Sequence, residues 1–249
     1  MIKNALITGA GKRIGRAIAI RLAKSGWNVA LHYNSSRDEV EKLSSELLDQ
    51  GCKSVLVQAD LRDTENLERV IEEAKEALGP LTCLINNAAI FEPDRIDSVS
   101  GSSLQNHMST NLFAPTLLSK AFVEQFDEKA AEQGNIVNIV DQRVMSLRPD
   151  FLSYTLSKAA LWTLTQTLAM ELAPRIRVNA IGPGPTLANT RQTEAQFRQQ
   201  CSGLPLGYGA TEAEIADGVA FLLSAKSITG EFIAMDGGNH LPTCQVIEE

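Results

Sequence analysis

The sequence predicts an α/β fold of the doubly wound kind, a parallel sheet with helices on both faces. Short apolar runs alternate along the chain with longer segments of helical period, the pattern of successive βαβ units. A glycine-rich turn joins the first run to the first helix. Glycine or polar residues (Gly9, Asn34, Asp60, Asn86, Asp141 and Gly182) follow successive runs. They should gather on the rim beyond the carboxyl ends of the strands, where such folds bind ligands.

In chain order, the apolar runs 3–8, 27–33, 54–59, 82–86, 135–141, 176–181 and 232–235 are the strand candidates. Helices are predicted over 13–25, 37–50, 64–78, 101–127, 153–173 and 212–224. The 249 residues contain no Pro-, Gly- or Ser-rich divider, repeat or low-complexity tract, so one domain is expected over 1–249. The polar segment 186–203 follows Pro183-Gly-Pro185 and is expected to be a small mobile substrate lid.

A hydrophobic content of 44% with 21% charged residues can supply a sizeable core. The net charge of −7 disfavours nucleic acid and anionic membranes as partners, while leaving room for an anionic cofactor in a local basic pocket. Cys52, Cys83, Cys201 and Cys244 lie far apart, and neither they nor the three histidines have metal-ligand spacing. Cys83, in an apolar run, is expected in the core. The N-terminus lacks a signal-peptide layout, and no apolar run has the length of a membrane span. A cytoplasmic protein acting on a small molecule is expected.

Tyr154 and Lys158 are four residues apart on a predicted helix, and Asp141 ends an apolar run thirteen residues before Tyr154. Residues i and i+4 share a helix face, so the ammonium is expected near the phenol, pulling its pKa below the ordinary value of roughly 10. Asp141 has two readings. It can cap the turn after its strand. Alternatively, as a desolvated carboxyl with a raised pKa, it can give a proton to a ring nitrogen.

The turn Thr8-Gly-Ala-Gly-Lys-Arg-Ile-Gly15 lets the backbone approach a pyrophosphate attracted by the helix N-terminus. A dinucleotide is therefore expected there, held by Gly9, Lys12, Arg13, Ile14 and Gly15. The end of the second strand reads His32-Tyr33-Asn34-Ser35-Ser36-Arg37, with hydroxyls and cations where an acid would select an unphosphorylated ribose. NADP(H) is expected; Asp38, in the next helix's first turn, is the counter-candidate for a 2′-hydroxyl. Phe91 reads either as core packing or as an exposed aromatic in a loop beyond a strand end, flanked by Glu92-Pro93. Ser153 reads as a helix cap.

Taken together, Thr8-Gly…Gly15, Asn86-Asn-Ala-Ala89, Asn111, Tyr154-x-x-x-Lys158, Asn179 and Pro183-Gly184 resemble the short-chain dehydrogenase/reductase family over essentially the whole chain. The resemblance implies a Rossmann-type seven-stranded parallel sheet, NADPH/NADP+ as cofactor and usually a homotetramer. It adds Asp60, Leu61, Asn87, Ala88, Ala89, Val140, Tyr154, Lys158, Pro183 and Gly184 to the cofactor-binding residues. It also makes Lys158 the holder of the nicotinamide ribose and Asn111 the holder of a water linking Lys158 to solvent. Two departures point further. Arg13 replaces the middle glycine of the phosphate turn, and Asp141 replaces the catalytic serine. With Leu31-His-Tyr33 and Phe91, they resemble the pteridine reductase branch, which includes bacterial dihydromonapterin reductases. Ser35 stands where trypanosomatid-type pteridine reductases carry a basic residue; Arg37 is the nearby substitute.

That resemblance implies a catalytic set of Asp141, Tyr154, Lys158 and Asn111, and a pterin-like substrate held by Arg13, Phe91, Asp141 and Tyr154. The expected reaction is NADPH-dependent reduction of a C=N bond in a dihydropterin. The rivals are a carbonyl reductase acting on a 3-oxoacyl or other ketone and a non-catalytic NADP(H)-sensing protein.

Overall fold

The computed structural model describes residues 2–127, 129, 133–189 and 191–242. Cys244 and Thr190, the latter within the expected lid, fall outside them. Seven strands, β1 (Asn4–Ile7), β2 (Asn28–Tyr33), β3 (Ser54–Gln58), β4 (Cys83–Asn86), β5 (Gly134–Ile139), β6 (Ile176–Pro183) and β7 (Phe232–Met235), form one sheet in the order β3-β2-β1-β4-β5-β6-β7. Every neighbouring pair is parallel. Strand order reverses between β1 and β4, the crevice where open α/β sheets bind ligands.

The central strands β1, β4, β5 and β6 are buried on both sides, as in a parallel sheet covered by helices, while the edge strands β3 and β7 are mostly half-buried. Along β1, Leu6 faces one core while Ala5 and Ile7 face the other, the period-two alternation of a strand. On the Leu6 side pack α3 (Glu68–Leu78), α5 (Ala114–Gln125) and the end of α6 (Leu152–Leu172), through Val70, Ile71, Leu118, Phe122 and Leu172. The opposite core takes α1 (Arg13–Lys24), α2 (Arg37–Asp49) and α8 (Glu212–Ser224), through Ile18, Leu22, Leu43, Leu47, Ile215 and Val219. Cys83 lies fully buried in this second core, as its apolar run suggests.

Several boundaries differ from the sequence expectation, each for a local reason. The helix expected over 101–127 is three pieces: α4 (Gly101–Met108), a π-turn over Ser109–Phe113, and α5 with Pro115 in its first turn. The π-turn accommodates Asn111, which is fully buried against α6. A 3₁₀ turn at Thr64–Asn66 precedes α3. The segment expected to be only a polar lid contains a helix, α7 (Glu194–Ser202), opened by a reciprocal capping box between Thr193 and Gln196. That Thr-x-x-Gln signature stood in the sequence and marks a helix start.

Gly15 sets how closely α1 approaches the β1 turn: a Cβ there would stand 2.2 Å from the Gly9 carbonyl oxygen, a backbone atom that cannot swing aside. The Gly15→Ala protein is therefore expected to unfold at lower temperature than wild type and to lose roughly 10-fold or more in NADPH affinity, read by thermal denaturation and fluorescence titration.

Candidate active site

The rim after β1 is built first. Gly9 has φ +65°, and Arg13, where most chains of this pattern carry glycine, also lies in the left-handed region at φ +52°. A side chain costs on the order of 1–2 kcal/mol in that conformation, so something must hold Arg13 there. Its guanidinium donates to the carbonyls of Ala188 (2.9 Å) and Leu187 (3.2 Å), joining the turn to the segment after β6.

The turn is braced from below. Thr8 Oγ1 accepts from the amides of Asn87 and Ala88, while Asn87 Nδ2 donates to the carbonyls of Thr8 and Gly9. His32, expected among the groups facing a 2′-phosphate, instead points inward. Its Nδ1 accepts from the Gly9 amide at 3.2 Å, which leaves the proton on Nε2 to donate to the Ala59 carbonyl. Burial lowers its pKa to about 4, so it is a neutral brace of the turn and supplies no positive charge.

Asn34 and Ser35 are exposed and Ser36 half-buried at the start of α2. The cations beside them carry surface partners, Lys12 with Glu39 and Arg37 with Glu41, both at 2.7 Å. Such exposed pairs are weak and exchange readily. Tyr33, Asn34 and Asp60 line a polar cavity of about 510 Å³ at the ends of β2 and β3, together with Arg69 and Gln58, which sequence reasoning did not single out. Asp60 is paired with Arg62, whose hydrogen bonds hold the carboxyl below its ordinary value. Leu61 is buried, Ile14 packs against the core, and Ala89 is exposed beyond β4. Val140 is tied to Ile181 through its amide, and Pro183 and Gly184 run out of β6 against β7.

Between β5 and α6 lie the groups that can move protons. β5 ends at Ile139, so Asp141 stands just past the strand, where it caps the following turn and its carboxyl is desolvated. One carboxyl oxygen accepts from the Arg143 amide at 2.8 Å, capping a 3₁₀ turn over Gln142–Val144; the other accepts from the Tyr154 hydroxyl at 2.8 Å. Burial raises the Asp141 pKa against the opposing pull of these bonds and of Arg143 and Lys158.

Lys158 corrects an expectation. Its ammonium, buried beneath the Tyr154 ring at 5.8 Å from the centroid, donates to the Ile139 carbonyl at 2.7 Å. Tyr154 is accordingly raised well above the ordinary tyrosine value, not lowered: burial penalises the phenolate, and the Asp141 carboxylate beside it repels a second negative charge. Desolvation brings Lys158 itself down to about 8. Of the pair facing the cleft, Asp141 is the more acidic group and Tyr154 the hydrogen-bond donor.

Asn111 is engaged on three sides, with Oδ1 accepting from the Ile90 amide and Nδ2 donating to the Ile90 carbonyl and to Ser157 Oγ. It fastens the loop after β4 to α6. Phe91, in that loop, presents its ring edge-on to Tyr154 at 4.6 Å and stacks on Phe151 at 4.2 Å with 3° between the planes. Arg143 and Arg191 lie within 6.0 Å of both ring centroids. Arg191 also grips the loop by pairing with Glu92 (2.8 Å) and donating to the Phe91 carbonyl (2.9 Å). Arg143, Phe151 and Arg191 escaped sequence reasoning; the position of Phe151 one turn before Tyr154 was the available signal.

Ser153 corrects another expectation. It does not cap α6 but lies within its first turn, where its amide donates to Asp94 Oδ1 and its hydroxyl to Asp94 Oδ2. Among the described residues no helix is long and apolar enough to cross a membrane, and no group of three or more His, Cys, Asp or Glu side chains is arranged to hold a metal.

This sheet order, phosphate-type turn and Tyr-x-x-x-Lys helix define a short-chain dehydrogenase/reductase, and the chain belongs to that family: the sequence profile described as "Enoyl-(Acyl carrier protein) reductase" matches residues 9–240. Among solved structures it is similar to FolM Alternative dihydrofolate reductase 1 of Brucella canis, crystallised with NADP, at 41% identity and TM-score 0.94 over 99% of this chain and 97% of that one. The Brucella suis protein of the same description, also with NADP, matches at 41% identity and TM-score 0.93 over 98% and 97%. Among curated relatives it is similar to 3-oxoacyl-[acyl-carrier-protein] reductase FabG of Staphylococcus aureus (strain Mu50 / ATCC 700699), 32% identical over 97% of this chain and 99% of that one.

The raised Asp141 pKa has a stability consequence. Between the ordinary carboxylate value of roughly 3.9 and the raised folded value, the folded state binds more protons than the unfolded one. Stability therefore falls as pH rises through that window, and the cost is fully present above it. Asp141→Asn removes the charge and keeps one acceptor, a carbonyl oxygen for the Arg143 amide, while its NH2 can donate to the Tyr154 oxygen, so it is expected to melt at higher temperature than wild type at neutral pH. The gap should close as the pH approaches 3, in thermal scans across pH.

Proposed function

We propose that this protein is an NADPH-dependent pteridine reductase, reducing a C=N bond of a dihydropterin to give a tetrahydropterin. The observation that carries this reading is the direct hydrogen bond between Tyr154 and Asp141, with the carboxyl raised by burial and the Phe91 ring beside it. Support also comes from the Brucella proteins, whose description is that of an alternative dihydrofolate reductase.

The residues present suit the cofactor. A Cβ at Gly15 would meet the Gly9 carbonyl oxygen at 2.2 Å and one at Gly11 the Ser36 hydroxyl at 2.7 Å, so the tight turn suits the approach of a pyrophosphate, and Arg13 stands at its edge. Asn34, Ser35, Ser36 and Arg37 surround a 2′-phosphate, with Lys12 nearby. The polar cavity at Tyr33 and Asp60 takes the adenosine end. Bound NADPH supplies the hydride, chemistry that belongs to the cofactor.

The protein orients the ring and manages the proton. Phe91, one face of which is stacked on Phe151, offers its other face to a flat heterocycle. The Asp141 carboxyl, its pKa raised by burial, is the acid that gives its proton to the ring nitrogen next to the carbon that is reduced. Tyr154, whose hydroxyl touches the same carboxyl, relays the replacement proton and is not itself the acid. Lys158 keeps a positive charge beneath the pair and takes the ribose hydroxyls, and Asn111 holds the water that links it to solvent. The segment 186–203, held to the phosphate turn by Arg13 and to the Phe91 loop through its own Arg191, closes as a lid over the substrate. A serine at position 141 would only position a carbonyl; a carboxylic acid can donate to nitrogen.

The second reading, a 3-oxoacyl reductase, draws on FabG. On either reading the active form is a homotetramer. The apolar groove of about 670 Å³ outside α5 and α6, lined by Leu112, Phe113, Leu117 and Leu164, is the face a second copy covers; light scattering reads the state directly.

Oxidation of NADPH followed with dihydromonapterin, dihydrobiopterin, dihydrofolate and a 3-oxoacyl thioester decides between the readings. Turnover of the thioester alone overturns the pterin assignment. Asp141→Ser is expected to lower kcat/KM for the dihydropterin by roughly 100-fold or more while NADPH affinity changes little. Wild-type kcat/KM is expected to fall as pH rises through the Asp141 value, because the acid must carry its proton. It should fall again above about 8, where Lys158 loses its charge.

A further inference from the structure

Asp94 is buried, yet it lies in the loop that carries Phe91 and outside every element of regular structure. Its carboxylate meets three donors: the Ser153 amide at 2.9 Å on Oδ1, the Ser153 hydroxyl on Oδ2, and the Ser103 hydroxyl at 2.8 Å, also on Oδ2. Its own carbonyl accepts from the Leu152 amide at 3.2 Å. Leu152 and Ser153 open α6, so their amides are among the helix-start donors that have no partner within a helix. Asp94 caps them from 58 and 59 positions away in sequence.

The residue that would ordinarily cap α6 is Phe151, which has no side-chain acceptor and sits at φ +58°, a conformation a bulky residue adopts only under constraint. That conformation throws its ring onto Phe91, and the next residue but two is Tyr154. Asp94 therefore ties three things together: the loop bearing Phe91, the start of the helix bearing Tyr154, and α4.

We propose that Asp94 is a positioning residue of the reductase: by capping α6 from the Phe91 loop, it fixes the distance and angle between the Phe91 platform and the Tyr154–Asp141 pair. The inference needs only that Tyr154 stands at the reacting centre, which both readings of the substrate share. A rigid tether matters here because reacting groups displaced by about 1 Å can lose on the order of 100-fold in rate. The same loop is also held by Asn111 at Ile90, by His107, which accepts from the Glu92 amide, and by Arg191 at Phe91 and Glu92, so removing Asp94 frees the anchor to α6's first turn and leaves the others.

The test is a double-mutant cycle between Asp94 and Phe91. Asp94→Ala is expected to lower kcat/KM roughly 10- to 100-fold with NADPH affinity within about twofold of wild type. Asp94→Asn, which keeps an acceptor for the Ser153 amide, is expected to recover most of that loss. In the Phe91→Ala background, Asp94→Ala should cost less than about threefold, because a tether has nothing left to position. Should Asp94→Ala fail to fold, Ser153→Ala removes a single bond and is expected to show a smaller loss with the same dependence on Phe91.

The substrate is whichever of the dihydropterins or the 3-oxoacyl thioester the wild type turns over, so failure of the pterin reading leaves this cycle intact. Hydrogen exchange gives a readout independent of turnover: Asp94→Ala should speed exchange in peptides spanning 88–95 and 150–155 and leave 9–16 unchanged. Losses that simply multiply across the cycle, a parallel loss of NADPH affinity, or unaltered exchange in both peptides would each overturn the proposal.

Discussion

One hydrogen bond, from the Tyr154 hydroxyl to the Asp141 carboxyl, sets the chemistry this site can perform. It joins the residue after β5 to the first turn of α6, two places the parallel sheet brings to the same rim. Burial works on its two ends in the same direction, raising both the carboxyl and the phenol. A family member with serine at the strand end has an alcohol beside its tyrosine, and the lysine can then act on the phenol undisturbed. Here a carboxylate intervenes, and the lysine's influence falls on the acid instead. The same three elements thus yield a different electrostatic balance, with a carboxyl whose pKa is raised by burial beside a phenol raised further.

The arrangement has a cost in stability, and the surrounding polar network compensates for part of it. Lys158 is placed against the Ile139 carbonyl, so an ammonium with almost no exposed surface still has a hydrogen-bond partner. Asp141 keeps a backbone donor in Arg143 as well as the phenol. Asn111 answers both polar groups of Ile90, and the π-turn in its helix is the local price of that reach. Arg13 illustrates the same trade on the cofactor side: a strained backbone is retained because the guanidinium it carries spans to the segment after β6. Sites of this kind hold their strain where the chemistry needs an unusual group and distribute the supporting bonds over several elements.

The sheet and its flanking helices were legible in the sequence because they depend on local pattern. Runs such as Ala5–Ile7 and Val29–Leu31 are aliphatic on both faces, and a polar residue closes each one. Asp141, Tyr154 and Lys158 were legible because they lie within eighteen positions and on adjoining elements. What the sequence hid depends on contacts across many residues or on burial. Nothing in the local pattern separates a His32 that faces a phosphate from one that turns inward to Gly9; only the ring's burial decides it. The direction of the Tyr154 shift was missed for a related reason, since i,i+4 spacing places Lys158 on the right face without saying how far its ammonium reaches. Asp94 and Ser153 are 59 residues apart, and no spacing rule joins them. The break at Asn111 needed knowledge of what lies beneath the helix. The start of α7 was different: its Thr-x-x-Gln signal was present and unused.

Relatives described as reductases of two unlike substrates surround this chain at comparable similarity, so overall likeness does not select between them. The choice falls to individual positions. A ketone's oxygen needs a donor that can follow it to an alkoxide, for which a lysine-activated tyrosine is suited. An imine nitrogen in a conjugated ring needs a proton from an acid near its own basicity, and a flat surface to hold the ring while it is delivered. Tyr154 here is discouraged from ionising by the carboxyl it touches, which weakens it for the first task. On the pterin reading proposed above, the same carboxyl, with Phe91 close to a right angle to the phenol, serves the second. The balance of proton affinities between two adjacent oxygens therefore carries more information about the substrate than agreement across the remainder of the chain.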